Sequence, residues 1–250
     1  DIDDVRINQK EGQWTNRWIG YVSDGMFMSQ AQIDSHPVDQ DQNGNTSLRP
    51  GDIIYKDISG ADGEPDGIID WRDQDEVGYG TFPDLYYGMD VNVKWKSFSV
   101  TALFQGAGMF NMNPSNAMKF SFSNWTTPLD YHYDYRAILS EDRSTVTNPE
   151  SAKLPPIDGS GAGFTANNQK TSDFYLQDNT YLRLKTLNLS YNLPKKIISS
   201  AGFQGVQVYL AGTNLLTFSG LGIFNDSFDP EGGYNYPPVK TITLGVNITL

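Results

Sequence analysis

The 250-residue sequence contains no cysteine. Neither a disulfide frame nor a thiolate zinc site can therefore form, and a disulfide-rich secreted scaffold is excluded. Histidine is almost as scarce. His36 and His132 stand far apart, without His-x-x-x-His spacing or an evident nucleophile partner, which argues against a zinc hydrolase or a Ser/His triad. Basic residues number 18 against 30 acidic ones, giving a formal net charge of -12. A nucleic-acid duplex would repel such a surface, so no nucleic-acid partner is expected. No apolar run approaches the ~18 residues of a membrane helix, and the opening DIDDVRINQKEG lacks the basic-then-apolar order of a signal peptide. A β-barrel stays open, because its strands alternate and escape hydropathy windows. Internal repeats and low-complexity tracts are also missing.

What the sequence does have is apolar and aromatic content, 38% and 13%, enough for a buried surface. Much of it lies in runs of period two. In TITLGVNITL (241–250), Ile242, Leu244, Val246, Ile248 and Leu250 alternate with Thr, Gly and Asn. LYYGMDVNVKW (85–95) places Tyr87, Met89, Val91, Val93 and Trp95 on one side, and FSVTALF (98–104) continues the pattern. Only Lys96 and Ser97 separate these two runs, which leaves room for a tight hairpin. VQVYLAGTNLLTF (206–218) and YLRLKTLNLSYNL (181–193) are two further strands. In the latter the apolar phase slips between Leu184 and Leu187, as a β-bulge would produce.

The connections alternate in length. Those near 96 and at 194–205 are short, whereas 21–83, 108–178 and 219–238 are long. All the long connections thus fall at one end of the sheet. That is the habit of an outer-membrane barrel, with brief periplasmic turns and extended outer loops, and strands of ~10 residues have the reach to cross a ~25 Å apolar band. A soluble antiparallel sheet with one solvated face gives the same alternation, so periodicity alone leaves both readings open.

One loop carries a candidate metal site. In ADGEPDGIIDWRDQDEVG (61–78), Asp62, Glu64, Asp66, the Ile68 carbonyl, Asp70 and Asp73 fall at positions 1, 3, 5, 7, 9 and 12 of an EF-hand register, with Gly67 at the sharp bend. Calcium takes six to eight hard oxygens, which alternate acids in a tight loop can supply. Ile69 would point inward and anchor the loop. The expected role of Ca2+ is structural; the competing reading is a solvated acidic turn. A second candidate is aromatic. Trp125, Tyr131, Tyr133 and Tyr135, with Phe174 and Tyr175, could offer ring faces to a sugar or peptide, or could pack on one another. Thirty acids allow many carboxylate pairs, but nothing fixes two at a hydrolytic separation, so no catalytic residue is assigned.

YLQDNTYLRLKTLNLSYNLPKKI (175–197) resembles a C-terminal signature of the SusC/RagA family of TonB-dependent outer-membrane transporters. GYVSDGMFMSQAQID (20–34), PGDIIYKDISGADGEPDGIID (50–70), VQVYLAGTNLLTFSGLGIFNDSFDPE (206–231) and the closing strand follow in the family's order. The resemblance implies an all-β fold, namely the antiparallel C-terminal strands and long extracellular loops of a barrel of about 22 strands with a plugged lumen. The extracellular regions would be 21–83, with the calcium-like loop 62–73, and 108–178; the final strands would lie in 179–250. Five strands cannot close a barrel, for which ~8 is a practical minimum, so the chain is expected to be part of a longer polypeptide. The resemblance further implies no enzymatic chemistry but import of oligosaccharides or peptides across the outer membrane of a Bacteroidetes-like Gram-negative bacterium. A SusD-like surface lipoprotein, the TonB complex and outer-membrane lipid would be the partners. A soluble, calcium-stabilised glycan-binding β module is the alternative, and a glycosidase is a third.

Overall fold

The computed structural model describes residues 7–9, 11–14, 16–122, 127–157, 165–233 and 238–250. It divides into two units, Asp1–Phe82 with Asn111–Gln177, and Pro83–Phe110 with Asp178–Leu250. No helix among the described residues is long and apolar enough to cross a membrane.

The first unit is built from the segments expected as long loops, and they carry structure of their own. Strand β1 (Arg17–Tyr21) and strand β2 (Ser23–Met26) lie near its start, followed by β3 (Ile53–Tyr55) and β4 (Gln74–Tyr79). β1 pairs antiparallel with β4, and β2 with β3. A one-turn helix, Gln30–Asp34, is capped by the Ser29 hydroxyl, which accepts from the Gln32 N–H at 3.2 Å. Phe27, Ile33, Leu48 and Ile54 form a core cluster beneath it. Residues 171–173 lie along β1, with the Tyr21 N–H donating to the Thr171 carbonyl at 2.8 Å. This approach needs Gly20, since a Cβ there would sit 2.5 Å from that same carbonyl oxygen.

β3 meets β2 on one side only. Side-chain amides serve its remaining backbone groups: Gln40 accepts from the Tyr55 N–H and donates to the Ile53 carbonyl, while Asn168 accepts from the Ile53 N–H and Asn167 donates to the Ile53 carbonyl. A buried strand with unpaired peptide groups would be costly, and these three amides remove that cost where a further strand is missing. Asn168 also donates to the fully buried Asp52 at 2.8 Å. Burial pushes the Asp52 carboxyl up to about 6 despite this bond and the nearby Arg49 guanidinium.

The second unit is a single antiparallel sheet. Its strands are β5 (Leu85–Trp95), β6 (Phe98–Gly108), β7 (Tyr181–Asn192), β8 (Gly205–Ser219) and β9 (Thr241–Thr249). They pair in the order β9-β8-β7-β6-β5, each beside the next strand of the unit along the chain, and β5 and β9 stand at open edges. The alternating runs gave all five strands, β6 continuing four residues past Phe104. Lys96 and Ser97 form the hairpin, Lys96 at φ 54°, between the paired Trp95 and Phe98. The phase slip is a bulge, as expected. Leu103 pairs with Thr186 but Phe104 with Leu184, leaving Lys185 as the extra residue; opposite it, Asn214 and Leu215 of β8 bulge as well, Asn214 at φ 51°.

Candidate functional site

The register of the five strands sorts their side chains onto two faces. One row runs Val93, Val100, Leu189, Leu210, Leu244, and the next runs Trp95, Phe98, Tyr191, Val208, Val246. Because of the bulge, Leu184 and Leu216 rejoin the same face as Met89 and Phe104. This face is apolar from edge to edge. It is also open: Ile242 and Leu244 are each 74% exposed and Trp95 63%. Among the described residues no second layer covers it, as a sandwich would require. The other face holds rows such as Asn92, Thr101, Asn188, Ala211, Thr243, and Asn192, Gln207, Asn247. Polar side chains link across it, with Thr101 donating to Asn92 at 3.0 Å, Gln207 to Asn192 at 3.1 Å and Asn247 to Gln207 at 3.2 Å.

The same polar face carries a buried ionic cluster that local pattern did not flag. Arg183 is 1% exposed. Its guanidinium donates to the Thr217 hydroxyl at 2.9 Å, to Glu231 at 2.9 Å and to Asp229, and Lys185 also pairs with Glu231. The other oxygen of Asp229 accepts from the N–H groups of Glu231 and Gly232. The turn at 229–233 is thereby fastened to the polar side of β7. The sole sequence signal was an arginine in the YLRLK run, with its partners 46 and 48 residues away.

In the acidic loop the bend and the anchor stand where the spacing placed them. Gly67 makes the sharp bend, at φ 85°, and Ile69 is buried as an anchor. The carboxylates, however, are used one by one on the loop's own backbone. Asp73 is fully buried and accepts from the N–H groups of Ile58 at 2.8 Å, Ser59 at 3.1 Å and Asp70 at 2.8 Å. Desolvation raises its carboxyl above the usual range, and these bonds oppose the shift. Asp70 accepts from the Arg72 N–H and pairs with its guanidinium at 2.8 Å, so that Asp70 and Asp73 together cap the short 3-10 turn Trp71–Asp73. Asp66 accepts from the Ile68 N–H at 3.1 Å, and Asp62, Glu64 and Ile68 lie exposed. Among the described residues no three acidic or histidine side chains gather as a metal-holding group. Backbone N–H groups at this junction thus compete for Asp70 and Asp73, two of the carboxylates that the spacing would offer to an ion.

The aromatic candidates separate in the same way. Tyr131 and Tyr175 are buried; the Tyr131 hydroxyl donates to the Met118 carbonyl at 2.6 Å, and Tyr175 meets Phe120 edge-on and Phe174. Tyr135 lies under the Lys153 amine, while Tyr133 is exposed with the Arg136 guanidinium 3.9 Å from its ring centroid. Trp125 lies outside the described residues. Among the described members, Tyr131 and Tyr175 serve internal packing, while Tyr133 keeps an exposed ring.

An open apolar face backed by a polar one, on a sheet of long strands joined by short turns at one end, defines a wall segment of a membrane barrel. No protein-family model matches the chain. TonB-dependent receptor P26 of Formosa agariphila is 30% identical over 253 aligned residues, covering 90% of this chain and 22% of that protein. TonB-dependent receptor P3 of the same organism is 24% identical, covering 80% of the chain and 19% of that protein. The chain thus spans about a fifth of the length of these relatives. Its fold is similar to the RagAB peptide transporter, with TM-score 0.57, 17% identity and coverage of 93% of this chain and 23% of that one. RagAB in its open-open state gives a TM-score of 0.54 at 18% identity. The resemblance to TonB-dependent receptors of the SusC/RagA type is shown over most of the chain. These relatives are receptors and transporters rather than enzymes.

Proposed function

We propose that this chain supplies wall strands and outer loops of a TonB-dependent importer in the outer membrane of a Bacteroidetes-type bacterium. The observation that carries this reading is the apolar face, continuous over five paired strands and open to its surroundings. In water such a patch would drive association; against hydrocarbon it is the stable arrangement. The polar face opposite would border the aqueous lumen. Cargo would be an oligosaccharide or a peptide, the latter by analogy with the solved RagAB importers, which the chain resembles in fold. A SusD-like lipoprotein would cover the outer mouth, and the TonB complex would supply the energy.

The test is fractionation of cells expressing the intact gene. The reading expects the protein in the outer membrane, extractable only with detergent, and loss of nutrient uptake on deletion. Recovery as a detergent-free soluble monomer would favour a secreted β module instead.

A further inference from the structure

The charge of the second unit is segregated along its strands. Its acids are Asp84, Asp90, Asp178, Asp226, Asp229 and Glu231, and no Asp or Glu occurs in 91–110 or 179–225. Asp84 and Asp178 precede β5 and β7, and the last three lie between β8 and β9, so all but the mid-strand Asp90 stand at the end of the long connections. The short-turn end carries cations alone. Lys94 and Lys96 flank Trp95 at the β5–β6 hairpin, and Lys195 and Lys196 open the short helix Lys195–Ile198 between β7 and β8. This happens on a chain whose formal net charge is -12.

The lysines adjoin the edge of the apolar face. Trp95, Phe98 and Tyr191 form the last row of that face before the hairpin, with the Phe98 and Tyr191 ring centroids 4.5 Å apart and Trp95 and Phe98 both more than half exposed. A row of open rings at the end of barrel strands marks the headgroup level of a bilayer. The Lys96 amine lies 4.8 Å from the Trp95 ring centroid, which puts its charge at that level. The Asn192 N–H donates to the Ser97 carbonyl at 2.9 Å, so the hairpin stands beside the strand that runs on into Pro194 and Lys195. Lys94 differs from the others, because it pairs with Ser99 on the polar face. Lys96, Lys195 and Lys196 are exposed, and among the described residues none has an ion-pair partner.

A partner for this patch must bring negative charge to the depth of the rings. A soluble acidic protein would satisfy the lysines but leave Trp95 and Phe98 against water. A phosphatidylcholine or phosphatidylethanolamine headgroup sets its own cation beside its phosphate. A headgroup of net negative charge meets attraction alone, and each lysine held at a lipid surface adds to it. At the other end of the same sheet the acids would repel such a headgroup, so the preference belongs to one leaflet. We propose that the short-turn end binds an anionic phospholipid of the phosphatidylglycerol class, its phosphate on Lys96, Lys195 and Lys196 and its acyl chains on the Trp95–Phe98–Tyr191 row. The proposal gives the lipid of the import reading a headgroup class and a leaflet, and it rests on that reading for the bilayer itself.

The test uses the protein from its intact gene, purified in detergent and titrated with phosphatidylglycerol or phosphatidylcholine under native mass spectrometry. Phosphatidylglycerol is expected to bind more tightly at low ionic strength, and the gap to close as salt screens the charges. Each lysine near a lipid surface contributes about fivefold, which is ~1 kcal/mol. The triple variant Lys96→Gln/Lys195→Gln/Lys196→Gln should therefore weaken phosphatidylglycerol about tenfold or more and leave phosphatidylcholine unchanged, while Lys96→Arg/Lys195→Arg/Lys196→Arg retains the preference. All three are exposed turn residues, so the variants fold, as heat-modifiable gel mobility verifies. The proposal is overturned if the wild type shows no preference, if the glutamine variant keeps it, or if the arginine variant loses it equally. Displacement of the lipid from these lysines by inorganic phosphate or by lipopolysaccharide would also overturn it, assigning the site to a free anion or to the other leaflet. A receptor that needs detergent but shows no lysine-dependent preference loses only this proposal; one that stays soluble without detergent loses the import reading as well.

Discussion

Replacing Leu244 by arginine tests which solvent the apolar face meets. Leu244 lies mid-strand in β9, beside Leu210 in a row that runs on through Leu189 and Val100 to Val93. It is already 74% exposed, so the larger side chain displaces no protein packing. Against hydrocarbon, an arginine near the midplane costs ~2–4 kcal/mol. At ~1.4 kcal/mol per tenfold, the folding equilibrium would shift by roughly 30- to 1,000-fold. Against water, the same exposed substitution would stay within about 0.5 kcal/mol of neutral. Thr243→Arg is the internal control, because Thr243 pairs with Ala211 on the polar face and would place its charge in an aqueous lumen. The intact receptor, folded into phospholipid vesicles over a urea series and followed by heat-modifiable mobility, gives the midpoint for each variant. The expected result is a large loss for Leu244→Arg and a shift below about 1 kcal/mol for Thr243→Arg. Equal midpoints for the two, or a neutral Leu244→Arg, would refute the assignment of the apolar face to lipid.

Three further outcomes follow from the geometry. Arg183→Met leaves Asp229 buried without its partner and should cost about 3–5 kcal/mol; adding Asp229→Asn should recover much of the loss, and a double variant no better than the single would show that the cluster is not the fastener of the 229–233 turn. Asp52 has a folded carboxyl raised from 3.8 to about 6, so the folded state binds its proton more readily than the unfolded chain. The contribution is therefore full below about pH 4 and is lost as pH rises through 6, spanning about 3 kcal/mol; urea midpoints at pH 4 and pH 7.5 should show the decline in the wild type and a flatter profile in Asp52→Asn. Calcium titration of the intact receptor should leave its melting temperature unchanged in proportion to the 62–73 loop, since Asp70 and Asp73 are held by Arg72 and backbone N–H groups; a rise that disappears in Asp62→Asn/Asp66→Asn would show instead that the ion can draw the loop into the EF-hand register.

The sequence by itself determined the sheet. Period-two runs located the five long strands, the two residues between Trp95 and Phe98 fixed the hairpin, and the misphased Leu184 and Leu187 revealed the bulge that keeps the apolar face continuous. These features are local, because a strand's alternation and a turn's length are written in neighbouring residues. The tertiary structure alone decided what the polar side chains do. The acids at 62–73 had the spacing of a cation loop, but N–H groups at Ile58 and Ser59 claimed Asp73. Asn167 and Asn168 complete a strand more than a hundred residues earlier, and Arg183 finds its acids in a distant turn. A hydrogen bond or ion pair depends on which groups the fold brings within about 3 Å, and that proximity has no periodicity to read.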